Sequence, residues 1–151
     1  MNKTLKIVLI IIACIVALIL LAGIISFVAI GNTANAEEYK LGNDTIKSVK
    51  AVVEKREVTS VSTKVNNGVT TKEIEYKSDN VQEDLLEYTQ YLRDEGDFTL
   101  TKDMDLEEIP SVVELAKPSN DSGKIIIMTI DYDSFGYTIT IQKGEGTFNM
   151  Y

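Results

Sequence analysis

The sequence of 151 residues has no histidine, no tryptophan and only one cysteine, Cys14. Histidine is the usual general base near neutral pH and the commonest transition-metal ligand. Catalysis by Ser-His or Cys-His pairs and histidine-based metal sites are therefore excluded, and we expect no cofactor. Cys14 lies inside a long apolar run, and the chain has no second thiol with which it could form an internal disulfide bond.

Acidic residues are absent from the first 36 positions, where only Lys3 and Lys6 are charged. All 23 Asp and Glu lie at Glu37 or later, where they outnumber 13 Lys and Arg and give a net charge of −10. A strongly acidic domain repels phosphate backbones, so we expect no nucleic-acid partner. The charge favours a soluble, self-repelling surface, and a cation-rich partner is the other interpretation.

Residues 7–30 form a run of 24 residues without a charge. At about 1.5 Å per residue, a helix of this length measures about 36 Å and exceeds the ~30 Å hydrocarbon core of a bilayer. Two lysines precede the run and two glutamates follow it, so the positive-inside rule places the N-terminus in the cytoplasm and the remainder outside. The sequence therefore predicts a single-pass protein of the cell membrane.

The apolar run is followed by Ala34-Asn35-Ala36, which has small residues at the two positions that signal peptidase requires. Cleavage after Ala36 would release a secreted domain. The apolar region of a signal peptide usually spans ~7–15 residues, and the longer run here favours a retained anchor. Both interpretations place the domain outside the cytoplasm.

The chain divides into a cytoplasmic N-terminus (1–6), a transmembrane helix or uncleaved signal anchor (7–30), a polar tether (31–43) and one extracytoplasmic domain (44–151). At the start of the domain, Ile46, Val49 and Val53 repeat at helical spacing. This pattern predicts a short amphipathic helix, with a strand as the competing interpretation.

Residues 58–76 carry the clearest local signal, because Asn67-Gly68 separates two strand-like runs. This dipeptide favours a two-residue type I′ turn and therefore predicts a β-hairpin. The register places apolar and polar residues on opposite faces. The predicted pairs are Val65–Thr70, Val61–Ile74 and Thr59–Tyr76 on the apolar face, and Ser62–Glu73 and Ser60–Glu75 on the polar face.

A helix is predicted over residues 78–96, with Asn80 and Glu83 in a capping-box pattern and Gly96 as its stop. Its apolar stripe consists of Val81, Leu85, Tyr88 and Leu92. The passage from Ile74 to Phe98 resembles membrane-tethered or lipoprotein-like domains of Gram-positive bacteria. That resemblance implies an envelope location and no particular activity.

Further strands are predicted at 98–101, 111–117, 125–130 and 137–143. The strand at 125–130 is apolar at almost every position, which predicts a central strand covered on both faces. Hairpins and short connections favour an α+β fold, with a single largely antiparallel sheet of about five to six strands and one or two helices packed on it.

The acidic stretch after residue 102 offers weak candidate metal ligands. Asp103, Asp105, Glu107 and Glu114 match positions 1, 3, 5 and 12 of a calcium loop. Glu108 occupies the position that such a loop needs for glycine, so a solvated acidic loop is the favoured interpretation and a weak surface cation site the alternative.

Two tyrosines, Tyr91 and Tyr132, are candidates for an exposed interaction surface, since tyrosine is favoured at interfaces. Tyr88 and Tyr137 lie on apolar faces and are expected in the core. The leading hypothesis is a non-enzymatic, membrane-anchored domain that binds an envelope protein or a wall component. The alternatives are the secreted form and a small hydrolase that uses carboxylates.

Overall fold

The computed structural model describes residues 31–102 and 104–147. Its helices are α1 (Val49–Val52) and α2 (Val81–Asp94), preceded by a helical turn at residues 31–35. Its strands are β1 (Glu38–Leu41), β2 (Asp44–Lys47), β3 (Glu57–Asn66), β4 (Val69–Lys77), β5 (Thr99–Leu100), β6 (Ser111–Pro118), β7 (Lys124–Tyr132) and β8 (Gly136–Glu145).

Six strands form one antiparallel sheet in the order β3-β4-β8-β7-β6-β5, and β1 and β2 form a separate hairpin. Side chains of α2, of this hairpin and of one sheet face form a single buried cluster, and we call that face the core face. The arrangement confirms the predicted α+β class and the antiparallel sheet. The predicted transmembrane helix at 7–30 lies outside the described residues, within which no helix is long and apolar enough to cross a membrane.

The hairpin of β3 and β4 turns at Asn67 and Gly68, whose φ angles of 49° and 78° are those that a type I′ turn requires. Both positions are left-handed, which Asn and Gly tolerate better than other residues. Four of the five predicted pairs form: Val65–Thr70, Val61–Ile74, Ser62–Glu73 and Ser60–Glu75.

The fifth predicted pair, between Thr59 and Tyr76, is wrong. A β-bulge between Val58 and Ser60 shifts the register, and Tyr76 faces Val58 instead. Val58 is buried against the core, whereas Thr59 is exposed. The extra residue therefore turns an apolar side chain, rather than a polar one, toward the core face.

Helix α2 buries the predicted stripe of Val81, Leu85, Tyr88 and Leu92 against the sheet. The predicted capping box does not form, because the Asn80 side chain makes no capping hydrogen bond. Ser78 acts instead: its hydroxyl accepts the Asn80 N–H at 3.0 Å and donates to Asp84 at 2.6 Å. The start of the helix is thus fixed from two residues further upstream.

Strand β7 is central in the sheet, but only one of its faces is covered. Ile126, Met128 and Ile130 are fully buried on the core face. On the opposite face, which we call the open face, Ile125 and Ile127 are only half-buried. The expectation that this strand is covered on both faces is therefore wrong within the described residues, because α2 and the β1–β2 hairpin both pack on the core face.

The β1–β2 hairpin replaces much of the expected tether. Tyr39 and Leu41 are buried in the core, so residues 38–41 belong to the folded domain rather than to a polar linker over 31–43. The chain reverses at Gly42, whose φ is 63°. Ile46 lies on the second strand, and only Val49–Val52 is helical, so the longer helix predicted here is also wrong. Two-residue alternation of Tyr39 and Leu41 fits a strand.

A buried ionic cluster fastens this hairpin to the sheet. The Lys143 ammonium lies 2.5 Å from Asp44, 2.7 Å from Asp121 and 3.0 Å from the carbonyl oxygen of Leu41. Asp44 also accepts the backbone N–H of Asn120 at 2.8 Å. The turn after β1 is thereby joined both to β8 and to the turn between β6 and β7.

Candidate functional site

The predicted metal ligands are not assembled into a site. Asp103 lies outside the described residues. Asp105 accepts the backbone N–H of Glu107 at 2.9 Å, and Glu114 accepts the Thr101 hydroxyl at 2.6 Å. Among residues 31–102 and 104–147, no three acidic, histidine or cysteine side chains are grouped as metal ligands would be. The hydrogen bonds that these carboxylates make are local ones within a loop and across strand ends.

Of the two tyrosines predicted at an interaction surface, Tyr132 is wrongly placed there. Its side chain is only 4% exposed, and its hydroxyl donates to the carbonyl oxygen of Asp105 at 2.6 Å. Strand alternation puts Tyr132 on the core face with Ile130. Tyr88 and Tyr137 are buried in the core, as predicted.

Tyr91 is half-buried and lines a groove between α1 and α2 with a volume of about 560 Å³. Carboxylates outnumber the single lysine in its lining, so the groove attracts cations over anions. The charged residues of the groove are Glu37, Lys47, Glu87, Asp94 and Glu95.

An open cleft of about 450 Å³ lies beside the turn between β7 and β8, at one end of the sheet. Phe135 and Pro110 supply apolar surface to it. The charged residues of its lining are mainly acidic: Glu75, Lys77, Asp131 and Asp133. An apolar wall next to carboxylates suits a ligand segment that combines an apolar group with a positive charge.

Phe135 is the most prominent residue of this cleft, because its side chain is 77% exposed at the tip of the turn. The turn that carries it is well fixed. Asp133 accepts the backbone N–H groups of Phe135 at 2.7 Å and of Gly136 at 3.0 Å. On the other side, the Phe135 carbonyl oxygen accepts the Ser78 N–H at 3.0 Å. A large apolar side chain is thus presented to solvent on a rigid support, as at the anchors of protein interfaces.

The same Ser78 connects this turn to a buried carboxylate, Asp84. The Arg56 guanidinium binds both Asp84 oxygens, at 2.6 and 2.7 Å, and the Tyr137 hydroxyl donates at 3.3 Å. Burial alone would raise the pKa of Asp84, but the hydrogen bonds from Arg56 and Ser78 outweigh it, and the pKa lies below its ordinary value of 3.8. Asp84 is therefore ionised and satisfied, which suits a structural support under the cleft.

Buried tyrosines fill the space between the sheet and the β1–β2 hairpin. The hydroxyls of Tyr39 and Tyr76 are hydrogen-bonded to each other, and Tyr39 also accepts the Val49 N–H at 3.1 Å. The Tyr76 ring stacks on Tyr137 with the ring centroids 5.3 Å apart. Burial raises the pKa of Tyr39 to about 12 and raises those of Tyr76 and Tyr137 further.

The potential processing site is part of the folded domain. Ala34 lies in the helical turn and packs against the core. The Ser48 hydroxyl donates to the Ala36 carbonyl oxygen at 2.6 Å, and the Ser48 N–H donates to that of Glu37 at 3.0 Å. The carbonyl group of the Ala36–Glu37 peptide bond and that of the following residue are therefore already hydrogen-bonded.

Reasoning from the sequence selected Tyr91 and Tyr132 as interaction residues and did not select Phe135. The motif DSFG at residues 133–136 is typical of a hairpin turn, and Phe135 was not among the predicted interaction residues. The usable signal was the large aromatic residue itself, since turns are built from small and polar residues and a phenylalanine at the tip has no local structural role. Comparison with protein-family models, with curated proteins and with solved structures finds no match to this chain.

Proposed function

We propose that this chain is a single-pass membrane protein whose extracytoplasmic domain binds a partner of the cell envelope and performs no catalysis. The apolar run at 7–30 supplies the anchor, and the two lysines before it orient the chain with its N-terminus in the cytoplasm. The acidic composition of the remainder disfavours nucleic acid as the ligand.

One observation carries the binding role: the exposed Phe135 on its fixed turn beside an acidic cleft. An exposed aromatic side chain has no benefit for the stability of the fold, whereas burial in a partner's pocket removes its apolar surface from water. The carboxylates Glu75, Asp131 and Asp133 around it favour a partner with lysine or arginine near its apolar contact. An envelope protein with such a segment, or a wall component that carries free amino groups, fits this description.

The hydrogen bonds around Ala36 favour the retained anchor over the secreted form. A protease binds its substrate in an extended conformation, and in the folded domain the segment before this bond is helical and both neighbouring carbonyl groups are occupied. Release by signal peptidase therefore requires cleavage before the domain folds. The intact mass of the native protein, measured in the membrane fraction after alkaline extraction, distinguishes the two forms.

The binding role is tested by a photo-crosslinking amino acid placed at position 135 in the full chain in its native membrane. We expect a discrete adduct at this position. The matched control is position 86, because Leu86 is also apolar and 54% exposed but lies on helix α2. An identical set of adducts at both positions, or none at position 135, would contradict the proposal.

The carboxylate-dependent hydrolase stays a prediction from the sequence, and the cleft offers a direct test of it. Glu75 and Asp131 lie on the open face in one row, with Thr138 between them. Turnover of a wall polysaccharide that Glu75→Gln and Asp131→Asn each abolish, with Glu73→Gln as the unaffected control, would replace the binding role by an enzymatic one.

A further inference from the structure

Strand β3 is the long free edge of the sheet. It lies at the end of the strand order and is ten residues long, whereas β5 at the other edge has only two residues. Natural proteins blunt long edges with proline, with charged side chains, especially lysine, or with β-bulges that twist the edge away. Between the bulge at Val58/Ser60 and the turn, β3 has no proline, and Lys64 is its only charged residue.

The backbone groups that β3 presents outward follow from the turn. In a two-residue hairpin, Asn66 and Val69 beside the turn form a hydrogen-bonded pair, and such pairs alternate with non-hydrogen-bonded ones. Val61, Thr63 and Val65 fall in the non-hydrogen-bonded pairs with β4. Their N–H and C=O groups therefore point away from the sheet, and in the described residues no other backbone group bonds to them.

The side chains of these three residues share the core face. Val61 packs against the edge of the buried cluster, and Val65 is 72% exposed. An added strand with valine or another β-branched residue at alternate positions would extend the apolar surface of the sheet on this face. A strand with the same alternation as β3 itself would match this edge.

We propose that the occupant is a second copy of this chain, whose β3 pairs antiparallel with β3 of the first copy across a two-fold axis at Thr63. The outward groups allow this register because Thr63 then forms a hydrogen-bonded pair with its own copy. The remaining pairs are Val61 with Val65 of the second copy on the core face, and Ser62 with Lys64 and Ser60 with Asn66 on the open face.

Side-chain chemistry in this register is self-complementary. Pairs of β-branched residues and Thr–Thr pairs are among the favourable cross-strand combinations. No two like charges stand directly opposite each other. Lys64 of one copy pairs with Ser62 of the other, and that Ser62 pairs with Glu73 of its own β4. Lys64 and Glu73 of the other copy therefore lie in one row, on either side of Ser62. A small serine between these two long side chains leaves space for an intermolecular ion pair, which counters the general repulsion between two acidic domains.

The dimer does not depend on the proposed partner at Phe135, because that residue lies in the turn between β7 and β8 and not on the β3 edge. It gains from the proposed anchor, since two copies held in one membrane meet at a raised effective concentration. Dimerisation by the β3 edge would also continue the sheet across both copies, to twelve hydrogen-bonded strands, twice the six of one chain.

The first test is the mass of the full chain in detergent micelles, by light scattering corrected for detergent. We expect two chains for the unmodified protein and one chain for Thr63→Lys. In that variant two lysines face each other, and each is flanked by Lys72, the β4 partner of residue 63. Ser60→Lys makes the same charge change on the same strand, but it faces Asn66 of the second copy and lies beside Glu75, so it should remain dimeric. An unmodified protein that is monomeric, or a Thr63→Lys variant that stays dimeric, would overturn the proposal.

The second test reports the register directly and does not depend on a destabilised edge. Ser62 and Lys64 of the two copies form a non-hydrogen-bonded pair with Cα atoms about 4.5 Å apart, within the range of a disulfide bond. Ser62→Cys and Lys64→Cys are each introduced into a Cys14→Ser chain, and the two variants carry different tags. Each variant is produced alone, and the two are also produced together in the same cells. We expect a disulfide-linked dimer only when both are present in one membrane. Equal crosslinking within either single variant, or none in the mixture, would show that β3 does not pair in this register.

Discussion

The Ser48 hydroxyl donates a hydrogen bond of 2.6 Å to the carbonyl oxygen of Ala36, twelve residues earlier. Ser48 is also the N-cap of α1, since its hydroxyl accepts the Ala51 N–H at 3.3 Å. One buried side chain therefore fixes both the segment that contains the potential cleavage site and the helix that packs beside it. Access of a protease to the Ala36–Glu37 bond is coupled to the stability of this corner of the domain.

Substitution Ser48→Ala should expose that bond. Loss of a capping hydroxyl costs about 1 kcal/mol of stability, and the Ala36 carbonyl group loses its partner as well. The expected result is faster cleavage between residues 36 and 37 when the folded full chain is treated with signal peptidase in vesicles. Thr45→Ala, at an exposed position of the neighbouring strand, is the control. Equal cleavage rates in the two variants would show that the Ser48 hydrogen bond does not control access of the protease to the Ala36–Glu37 bond.

Substitution Lys143→Met should be among the most damaging single changes in the domain. Lys143 is buried, and methionine would leave the buried Asp44 carboxylate without its counter-ion. Breaking one side of a buried ion pair typically costs about 3–5 kcal/mol. Urea unfolding of the full chain in detergent measures the change. Lys124→Met is the control, because Lys124 is on the same sheet but makes no ion pair within the described residues.

Acid should destabilise the domain through Asp44 and Asp84. Burial alone would raise the pKa of each carboxylate, but hydrogen bonds outweigh this effect. Asp44 is bound by the Asn120 N–H and by Lys143. Asp84 is bound by Arg56 and Ser78, and the pKa values of both carboxylates lie below 3.8. Such groups stabilise the fold above the unfolded-state pKa, and this contribution is lost as the pH falls toward the folded-state value. The free energy of unfolding should therefore decrease below about pH 4. A pH-independent free energy between neutrality and pH 3 would contradict this expectation.

Alkali should also destabilise the domain, because the pKa values of its buried tyrosines are raised rather than lowered. Burial raises the pKa of Tyr39 to about 12 and raises the pKa of Tyr88 well above 10.0. A raised folded-state pKa means that stability is complete below the unfolded-state value near pH 10 and declines as the pH rises above it. Spectrophotometric titration should show that Tyr39 and Tyr88 ionise only when the domain unfolds. Ionisation of every tyrosine in one step near pH 10, with the domain still folded, would disprove the burial of Tyr39 and Tyr88.

The elements that were predicted well are those with their own local signal. Asn67-Gly68 fixed the turn and most of the register of its hairpin, and the spacing of Leu85, Tyr88 and Leu92 identified the buried side of α2. These patterns depend on residues close in the chain. The sequence could not reveal the bulge at Val58/Ser60, because which of two neighbours turns inward is decided by packing against Tyr76.

Interactions between distant residues account for the other differences. The β1–β2 hairpin has strands of four residues, too short for a clear pattern, and it is stabilised by contacts such as the one between Asp44 and Lys143. Ile125 and Ile127 made both faces of β7 apolar in the sequence and suggested a strand covered on both sides. They lie on the open face, which neither helix covers. The cleft at Phe135 combines parts of five strands, and its only local sign was one aromatic residue in a turn.

Neighbouring residues at the tip of the β7–β8 turn should differ sharply in the substitutions they tolerate. A Cβ atom at Gly136 would lie 2.1 Å from the carbonyl oxygen of Tyr76, a backbone atom that cannot move aside without disturbing β4. Phe135 beside it points into solvent and fills no space in the fold. In a library of all single substitutions, position 136 should accept glycine alone when selected for abundance. Position 135 should accept almost any residue under that selection and become restricted only when cells are selected for what the protein does.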